Sequence, residues 1–353
     1  MGECDQSACT WDLPFAQRPI IVLGVGIIGC AAARQLLRQG LSVTLVAEFL
    51  PGDQDIHYAS AWAGDAWHAA GGITADQRHL QAITHRVLLQ MAQDPQSGVS
   101  VVDAREHLEQ DPSPDSAIWG SGVVSKFRQL NRGEYPSEFT CGWAYEPLVT
   151  DPIRHMPYLK REIQKRGGCF IRRQMGSLQE VLDMFPASKV FINASGLGSR
   201  DLADVGDVRC FAERGQNVFL RTDLCHTMYF RNGCEYTYII PRPHSGGVVL
   251  GGVKQENDVS PEVDMDIARD VIARAHRLAP EMVPAQPPKS ALGHIVGIRP
   301  SRRGGFRLDT ETRGPRTILS AYEFGGGGYS FSYGVAEALV RMVEKAERDN
   351  LEV

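Results

Sequence analysis

The sequence predicts an α/β protein with two domains: a discontinuous first domain on a parallel sheet, and an α+β second domain on a large mixed or antiparallel sheet. The first observation is the apolar run Ile20–Leu23, which is typical of a buried parallel strand and leads directly into a glycine-rich turn and a helix. The second is a repeat of this strand-to-glycine arrangement near residues 193 and 321. The third is the alternation of strands between about residues 207 and 298, which is typical of antiparallel neighbours.

Strands and helices alternate along the first and last parts of the chain. The predicted strands, which are apolar runs bounded by turn residues, cover residues 20–23, 42–46, 169–173, 189–193 and 316–321. The predicted helices, whose apolar residues recur at helical spacing, cover residues 30–38, 152–165, 178–184, 263–277 and 333–347. The first domain is therefore expected to comprise residues 19–150, 151–205 and 310–347. The second is expected to comprise residues 207–305, and parts of 70–150 could also belong to it.

The composition excludes several classes of function. The net charge is −5 and no long basic run occurs, so nucleic acid is not an expected partner. The longest apolar run, Ile20 to Ala33, has 14 residues and is too short to cross a bilayer. The eight cysteines form no C-x-x-C pair, which favours reduced thiols and an intracellular location. No histidine spacing typical of a metal site occurs, so we expect no metal.

The turn after the first strand has the pattern Gly24-x-Gly26-x-x-Gly29. The three glycines permit a tight turn, the approach of a pyrophosphate to the backbone, and close packing of the helix on the strand. Glu48 stands 19 residues after Gly29, at the end of the next strand, where a carboxylate can accept hydrogen bonds from ribose hydroxyls. An acid at this place disfavours a 2′-phosphate. The pattern therefore predicts a Rossmann-type dinucleotide site for FAD or NAD.

Two further glycine turns favour FAD over NAD. Ser195–Gly198 follows a strand, and Gly325–Ser330 precedes the last helix. Three such turns allow the backbone to approach one extended ligand at several points, as required when an isoalloxazine ring is buried. A glycine loop beside a helix N-terminus can also place N–H donors near the flavin O2 edge, where charge develops on reduction.

At this point the sequence resembles the family of D-amino-acid oxidases and D-aspartate oxidases. The motifs that carry the resemblance are YASAWAG (58–64), NASGLGSR (193–200), RGQ (214–216), YIIPRP (238–243), GIRPSRRGG (297–305) and FGGGGY (324–329). The resemblance implies non-covalent FAD, transfer of a hydride from the substrate Cα to flavin N5, hydrolysis of the released imino acid, and reoxidation by dioxygen to hydrogen peroxide. It also implies that no side chain is an obligatory general base, and that the protein is peroxisomal, although the chain ends without the peroxisomal tripeptide. A homo-oligomer is compatible with the sequence.

The resemblance assigns roles to individual residues. Arg299 matches the arginine that binds the substrate α-carboxylate, which a guanidinium can hold through two hydrogen bonds. Tyr238 matches the tyrosine whose hydroxyl meets the same carboxylate, and Gly326 matches the residue whose carbonyl accepts from the substrate amino group. The residues expected to bind the cofactor are Gly24, Gly26, Ile27, Ile28, Gly29, Glu48, Ser60, Ala63, Gly64, Met175, Ser195, Gly196, Gly198, Gly325, Gly328, Tyr329 and Ser330.

The stretch from Tyr229 to Lys254 predicts the substrate. It is expected to form two strands, with Arg231 before the first and Lys254 after the second. Both positions match cations of the acidic-substrate branch, with lysine replacing arginine at one of them. Two cations in a pocket are costly until an anion lies between them, so the sequence favours D-aspartate. The alternatives are an oxidase of neutral D-amino acids, an NAD-dependent dehydrogenase, and a non-catalytic flavoprotein.

Overall fold

The computed structural model describes residues 18–67, 73–110 and 122–351. The chain divides into two compact units, residues 1–61, 156–213 and 299–353 in the first, and residues 62–155 and 214–298 in the second. The strands are β1 (Ile20–Leu23), β2 (Val43–Ala47), β3 (Ala66–Trp67), β4 (Val99–Val101), β5 (Asp103–Leu108), β6 (Ser125–Gln129), β7 (Cys141–Glu146), β8 (Leu148–Thr150), β9 (Cys169–Arg172), β10 (Val190–Asn193), β11 (Cys210–Arg221), β12 (Thr227–Asn232), β13 (Thr237–Arg242), β14 (Gly247–Gly251), β15 (Gln255–Glu256), β16 (Leu292–Arg302), β17 (Arg307–Arg313) and β18 (Arg316–Tyr322). The helices are α1 (Ile27–Arg38), α2 (Ala75–Met91), α3 (Pro152–Lys165), α4 (Leu178–Met184), α5 (Gly198–Asp201), α6 (Met265–Leu278) and α7 (Gly328–Leu351).

The first unit contains a six-stranded sheet in the order β17-β18-β10-β1-β2-β9. All neighbouring strands are parallel except β17, which runs antiparallel to β18. Every residue of β1 is buried, as expected of a strand that is covered on both faces. Helix α1 packs against α7, while α4 buries Leu178, Val181 and Leu182 in an apolar cluster with strands of the sheet.

The second unit contains a larger mixed sheet, whose order is β15-β11-β14-β13-β12-β5-β7-β6, with β16 paired to β11. Strand β13 lies between β14 and β12 and is antiparallel to both. Helix α6 buries one face of this sheet, where its apolar residues pack against side chains such as Ile239 and Leu250. A three-stranded sheet, in the order β3-β8-β4, completes this unit.

The predicted fold class is confirmed, and several element boundaries differ. The helices predicted at 152–165 and 178–184 have those bounds. Helix α1 begins at Ile27 and α7 at Gly328, several residues before the predicted starts, because glycines that we interpreted as loop belong to helix N-termini. The division into units also differs from the predicted domains, since residues 62–155 group with 214–298.

Candidate active site

Three glycine turns lie side by side at one edge of the sheet in the first unit. They follow β1, β10 and β18, which are adjacent and parallel, so their carboxyl ends meet at the same edge. In open α/β sheets, ligands bind outside the carboxyl ends of the strands. The structure thus brings together the turns at Gly24–Gly29, Ser195–Gly198 and Gly325–Gly328 into a continuous cradle, which we call the glycine cradle.

The first turn admits only glycine at two positions. Gly24 has a φ of +95°, and a Cβ there would overlap the carbonyl of Ala194. A Cβ at Gly29 would overlap the carbonyl oxygen of Gly24. At Gly26 a Cβ would come to 3.0 Å from the Ser60 Oγ. The close approaches of helix, strand and turn fit the backbone of a dinucleotide-binding fold.

The segment around Ser60 is hydrogen-bonded to this turn. The Ile27 N–H, in the first turn of α1, donates to the Ser60 Oγ at 2.9 Å. The Tyr329 hydroxyl donates to the Ser60 carbonyl at 2.7 Å. The Tyr58 hydroxyl donates to the Val25 carbonyl at 2.8 Å, and burial raises the pKa of Tyr58 well above its usual value. Residues from the two helix N-termini are therefore linked through one short segment.

The second turn is stabilised by its own side chains. The Ser195 N–H donates to the Asn193 Oδ1 at 3.2 Å, and the Ser195 and Ser199 hydroxyls lie 2.8 Å apart. Gly196 has a φ of +57°, and Gly198 is the first residue of α5. These contacts fix a tight turn.

The third turn directly precedes the N-terminus of α7. Gly325 has a φ of +57°, and Gly325–Gly327 form a single 3₁₀ turn before α7 begins at Gly328. A Cβ at Gly326 would meet no atom within 4 Å, so space is open beside its backbone. Ser330 is buried in the first turn of α7, and Ile28 is buried in the first turn of α1. The first N–H groups of a helix have no intrahelical acceptor, which makes both ends suitable for phosphate or flavin oxygens.

Two predicted cofactor contacts lie toward the β9 side of this sheet. Glu48 follows β2 directly and has an exposed carboxylate, while its carbonyl accepts from the Arg172 Nη1 at 3.1 Å. Met175 lies between β9 and α4, and packs against the apolar cluster around Leu178. The role of Glu48 as a ribose ligand stays a prediction, as does that of Met175, which is partly buried against this cluster.

Arg299 belongs to the first unit and already has an acidic neighbour. Its Nη1 lies 3.3 Å from the Oε1 of Glu213, and both side chains are mostly buried. A substrate carboxylate at Arg299 would therefore share the guanidinium with Glu213. The planar guanidinium carries enough donors for two acceptors.

In the second unit, Tyr238 of β13 forms an aromatic group with Phe230 and Tyr236, in which each pair of ring centroids lies 5.5–6.0 Å apart. Its side chain is buried, and its hydroxyl donates to the Asn217 Oδ1 at 2.7 Å. The predicted flavin-contacting residue Gly64 lies against it, since a Cβ at Gly64 would be 3.5 Å from the Tyr238 ring. The preceding residue, Ala63, has its carbonyl hydrogen-bonded by Arg242 at 2.5 Å. The predicted tyrosine and the predicted flavin segment are thus in contact.

The structure corrects the prediction that the two cations share a pocket. The stretch from Tyr229 contains three strands, and Arg231 lies within β12 instead of before the first strand. Phe230 pairs with Tyr238, whereas Arg231 pairs with Thr237. Because successive side chains of a strand point to opposite faces, Arg231 leaves the sheet on the face opposite Tyr238.

The contacts of Arg231 agree with this placement. Its Nε donates to the Glu109 Oε1 at 2.7 Å, and its Nη1 lies 3.2 Å from Glu235. The guanidinium also lies over the Phe139 ring, 5.4 Å from its centroid. Glu109 further accepts from the Cys234 N–H, and these two hydrogen bonds lower its pKa. Arg231 is therefore neutralised by carboxylates of the chain itself.

Lys254 remains on the Tyr238 side. Its ammonium lies 5.3 Å from the centroid of the Tyr236 ring, which meets the Tyr238 ring edge-on at 5.6 Å. Among the residues that the structure describes, no carboxylate lies within 4 Å of the Lys254 ammonium. Of the two predicted cations, Lys254 is the one that the geometry leaves near the aromatic group.

Sequence reasoning missed Asn217, Arg242 and Glu109. Asn217 lies 21 residues from Tyr238 in the sequence, and Glu109 lies 122 residues from Arg231. No local sequence pattern marks such pairs. Arg242 could have been found, because it follows Tyr238 by four residues and therefore projects from the same face of β13.

Neither a membrane-spanning helix nor a metal-binding cluster occurs in the part of the chain that the structure describes. No helix among the described residues is long and apolar enough to cross a membrane. No group of three or more histidine, cysteine, aspartate or glutamate side chains in those ranges is arranged to hold a metal ion.

Comparisons with known proteins agree with the glycine cradle. The profile of the FAD dependent oxidoreductase family matches residues 19–342. The chain is 27% identical to a D-amino-acid oxidase of Schizosaccharomyces pombe over 327 residues, covering 90% of this chain and 94% of the relative. It is 28% identical to a D-aspartate oxidase of Talaromyces thermophilus over 364 residues, covering 94% and 97%.

Solved structures show the same fold. A glycine oxidase from Geobacillus kaustophilus superposes with a TM-score of 0.73 at 16% identity, covering 94% of this chain and 95% of that one. An L-α-glycerophosphate oxidase from Mycoplasma pneumoniae with FAD bound gives 0.67 at 17% identity, covering 93% and 95%. With its three glycine turns and a family match over most of its length, the chain belongs to the FAD-dependent oxidoreductase family, and its cofactor is FAD.

Proposed function

We propose that the protein catalyses the oxidative deamination of D-amino acids, giving a 2-oxo acid, ammonia and hydrogen peroxide. The observation that carries this proposal is the contact between Gly64 and the buried Tyr238. Gly64 belongs to the segment assigned to the flavin, and Tyr238 is assigned to the substrate carboxylate. An oxidase must bring these two ligands together, and here their assigned residues are neighbours within one unit, since a Cβ placed on Gly64 would lie 3.5 Å from the Tyr238 ring. The relatives named above supply the substrate class.

The chain's own residues act by binding and orienting. We assign Arg299 and Tyr238 to the α-carboxylate; the Tyr238 hydroxyl, which donates to Asn217 in the structure, would turn its one proton to the carboxylate when substrate binds. The Gly326 carbonyl accepts from the amino group. FAD supplies the hydride acceptor and the reaction with dioxygen when it is bound. Orientation of the Cα–H is the contribution expected of such contacts, since fixed geometry removes much of the entropic cost of a bimolecular step.

The glycine cradle fits the cofactor assigned to it. Cβ atoms at Gly24 and Gly29 would collide with backbone, and the first turns of α1 and α7 present N–H groups at the same edge. Those N–H groups suit a pyrophosphate and a flavin carbonyl oxygen. Ser60 is held between both helix ends and would lie beside the bound group.

A preference for D-aspartate is a second candidate, supported by one observation. Lys254 lies beside the aromatic group of Tyr238 and has no carboxylate of the described chain within ion-pair distance. A substrate β-carboxylate would give this ammonium a partner. One lysine is a weaker determinant than two cations, because it offers a compact charge instead of a planar fork. We therefore place acidic D-amino acids within the substrate range and leave neutral ones within it as well.

The experiment is a peroxide assay on the purified yellow protein with D-aspartate, D-glutamate, D-alanine, D-methionine and L-aspartate. We expect turnover of D-amino acids and none of L-aspartate. Highest kcat/KM on D-aspartate would support the acidic preference, whereas highest kcat/KM on D-alanine or D-methionine would make the protein a neutral D-amino-acid oxidase. Absence of turnover on every D-amino acid would overturn the proposal. Peroxisomal location stays a prediction from the resemblance, and a homo-oligomer stays compatible with the sequence.

A further inference from the structure

Residues 62–65 contact two side chains of β13 in the second unit. Gly64 lies against the Tyr238 ring and the Val249 side chain, each 3.5 Å from a Cβ placed on Gly64. The Arg242 Nη2 donates to the carbonyl of Ala63 at 2.5 Å. Tyr238 and Arg242 are four residues apart on one strand, so both project from the same face. A single strand therefore holds two successive residues of the segment, one by packing and one by a hydrogen bond.

The charge of Arg242 lies beside a buried carboxylate. The guanidinium is 2% exposed, and its Nη1 lies 3.9 Å from the Oδ1 of Asp151, which is equally buried. The other Asp151 oxygen accepts from the Ser245 hydroxyl. The half-buried Asp65 interacts electrostatically with Arg242 as well, but burial raises its pKa to about 7, so it carries only part of a charge near neutral pH. A buried guanidinium is costly unless it is paired and hydrogen-bonded, so Asp151 fixes the position from which Arg242 reaches Ala63.

We propose that Arg242 is a positioning residue of the candidate active site, which fixes Ala63 and Gly64 against Tyr238 while Asp151 pairs with its charge. This inference rests on the proposed function, because that function assigns Ala63 and Gly64 to the flavin and Tyr238 to the substrate. Arg242 itself is assigned to neither. Its planar group can meet a carbonyl and a carboxylate together, which a lysine ammonium on a flexible stem does less well.

The test compares Arg242→Lys and Asp65→Asn with a matched control, Arg214→Lys. Arg214 is also 2% exposed and lies in the same unit, but its hydrogen bonds hold residues 255–262 instead of residues 62–65. For each purified variant we would record the visible flavin spectrum, the dissociation constant of FAD from fluorescence titration of the apoprotein, kcat and KM for D-alanine, and the midpoint of thermal unfolding.

We expect Arg242→Lys to shift the flavin absorption bands, to weaken FAD binding, and to lower kcat about tenfold or more with little change in KM, since small misplacements of reacting groups are costly. Asp65→Asn should shift the same bands by a smaller amount. Arg214→Lys should lower the unfolding midpoint without changing the spectrum.

Two results would overturn the inference. One is an Arg242→Lys protein with wild-type spectrum, FAD affinity and kcat. The other is equal changes in Arg242→Lys and Arg214→Lys, which would mean general destabilisation. Failure of the proposed function is distinguishable, because the spectrum and the FAD titration still report on Arg242 when the wild-type protein oxidises no D-amino acid.

Discussion

The candidate residues of the two units are of different kinds. In the first unit the glycine cradle is backbone, formed by turns at the ends of adjacent parallel strands. In the second unit the candidate residues are side chains, such as Tyr238, whose hydrogen-bond partner is distant in sequence. A backbone site is specified by glycines a few residues apart, whereas a side-chain site depends on which face of which strand each residue occupies. A backbone site can therefore be predicted from a short stretch of sequence, whereas a side-chain site cannot.

The largest expected effect comes from placing a side chain in the cradle. In Gly29→Ala, the new Cβ would overlap the carbonyl oxygen of Gly24, which is backbone and cannot rotate away. We expect FAD binding to weaken about 100-fold, or about 2.8 kcal/mol, and the protein to lose about 1–3 kcal/mol of stability. Fluorescence titration and urea unfolding would measure these changes.

The matched control is Gly133→Ala, where a Cβ would meet no atom within 4 Å. It should bind FAD as the wild type does. Wild-type FAD affinity in Gly29→Ala would contradict the assignment of this turn to the cofactor. It would show that α1 can move away from β1 without any loss of FAD binding.

Prediction from sequence succeeded where the signal is local. The turn at Gly24–Gly29 lies between a strand and a helix in the structure, as its spacing predicts, and two of the middle helices have their predicted bounds. The number of strands between Tyr229 and Lys254 was wrong, although the Asn232-Gly233 dipeptide is a strong hairpin signal. Missing that turn placed Arg231 outside its strand and on the wrong face.

The pairing of Arg231 with Glu109 could not be predicted in the same way. The two residues lie 122 positions apart, and they meet because β5 runs parallel to β12 in the folded sheet. Gly233 allows this contact, since a Cβ there would overlap the Glu109 carboxylate. Only the strand order reveals that this cation already has a partner.

A buried carboxyl next to the cradle gives a second large effect, which depends on pH. Glu323, just before the third glycine turn, is 3% exposed and has a φ of +66°. Within the described residues neither of its carboxylate oxygens has a hydrogen-bond partner. Burial raises its pKa to about 8, Asp207 adds to the rise, and Arg302 opposes it. The folded protein therefore holds this proton through neutral pH, whereas the unfolded chain releases it near pH 4.5.

Glu323 is therefore expected to make the free energy of unfolding fall as the pH rises. Below about pH 4.5 both states are protonated, and the raised pKa has no effect on stability. Between about pH 4.5 and 8 only the unfolded chain ionises, so Glu323 lowers stability by about 1.4 kcal/mol per pH unit. We expect Glu323→Gln to be more stable than the wild type at pH 8, with a difference that shrinks toward pH 5. Urea unfolding at both pH values measures it.

Glu323→Gly separates charge from backbone strain. It removes the carboxyl and also suits the positive φ, so it should exceed Glu323→Gln in stability at every pH. A stability difference between wild type and Glu323→Gln that does not vary with pH would show that the buried proton is not held as described.

Loss of Arg231 tests the placement of that residue on the face opposite Tyr238. Arg231→Met would leave the partly buried carboxylate of Glu109 with the Cys234 N–H as its remaining hydrogen bond. We expect a loss of about 1.5–3 kcal/mol of stability and no change in the ratio of kcat/KM for D-aspartate to that for D-alanine. Arg269→Met, which breaks an exposed ion pair with Asp266, should cost less than about 1 kcal/mol. A lower D-aspartate ratio in Arg231→Met would return this arginine to the substrate pocket.

Lys254 gives the smallest expected effect and decides between the substrate classes. Its ammonium lies beside Tyr236, which packs on Tyr238, and a β-carboxylate bound there would gain one charge contact. We expect Lys254→Met to lower kcat/KM for D-aspartate about tenfold, or about 1.4 kcal/mol, with D-alanine unchanged. Lys254 and Lys289 are both exposed, so the control Lys289→Met makes the same change in net charge away from Tyr236 and corrects for long-range attraction of an anionic substrate. Equal losses on both substrates in Lys254→Met would indicate a packing role through Tyr236. A loss confined to D-aspartate would show that one lysine, without Arg231, confers the acidic preference.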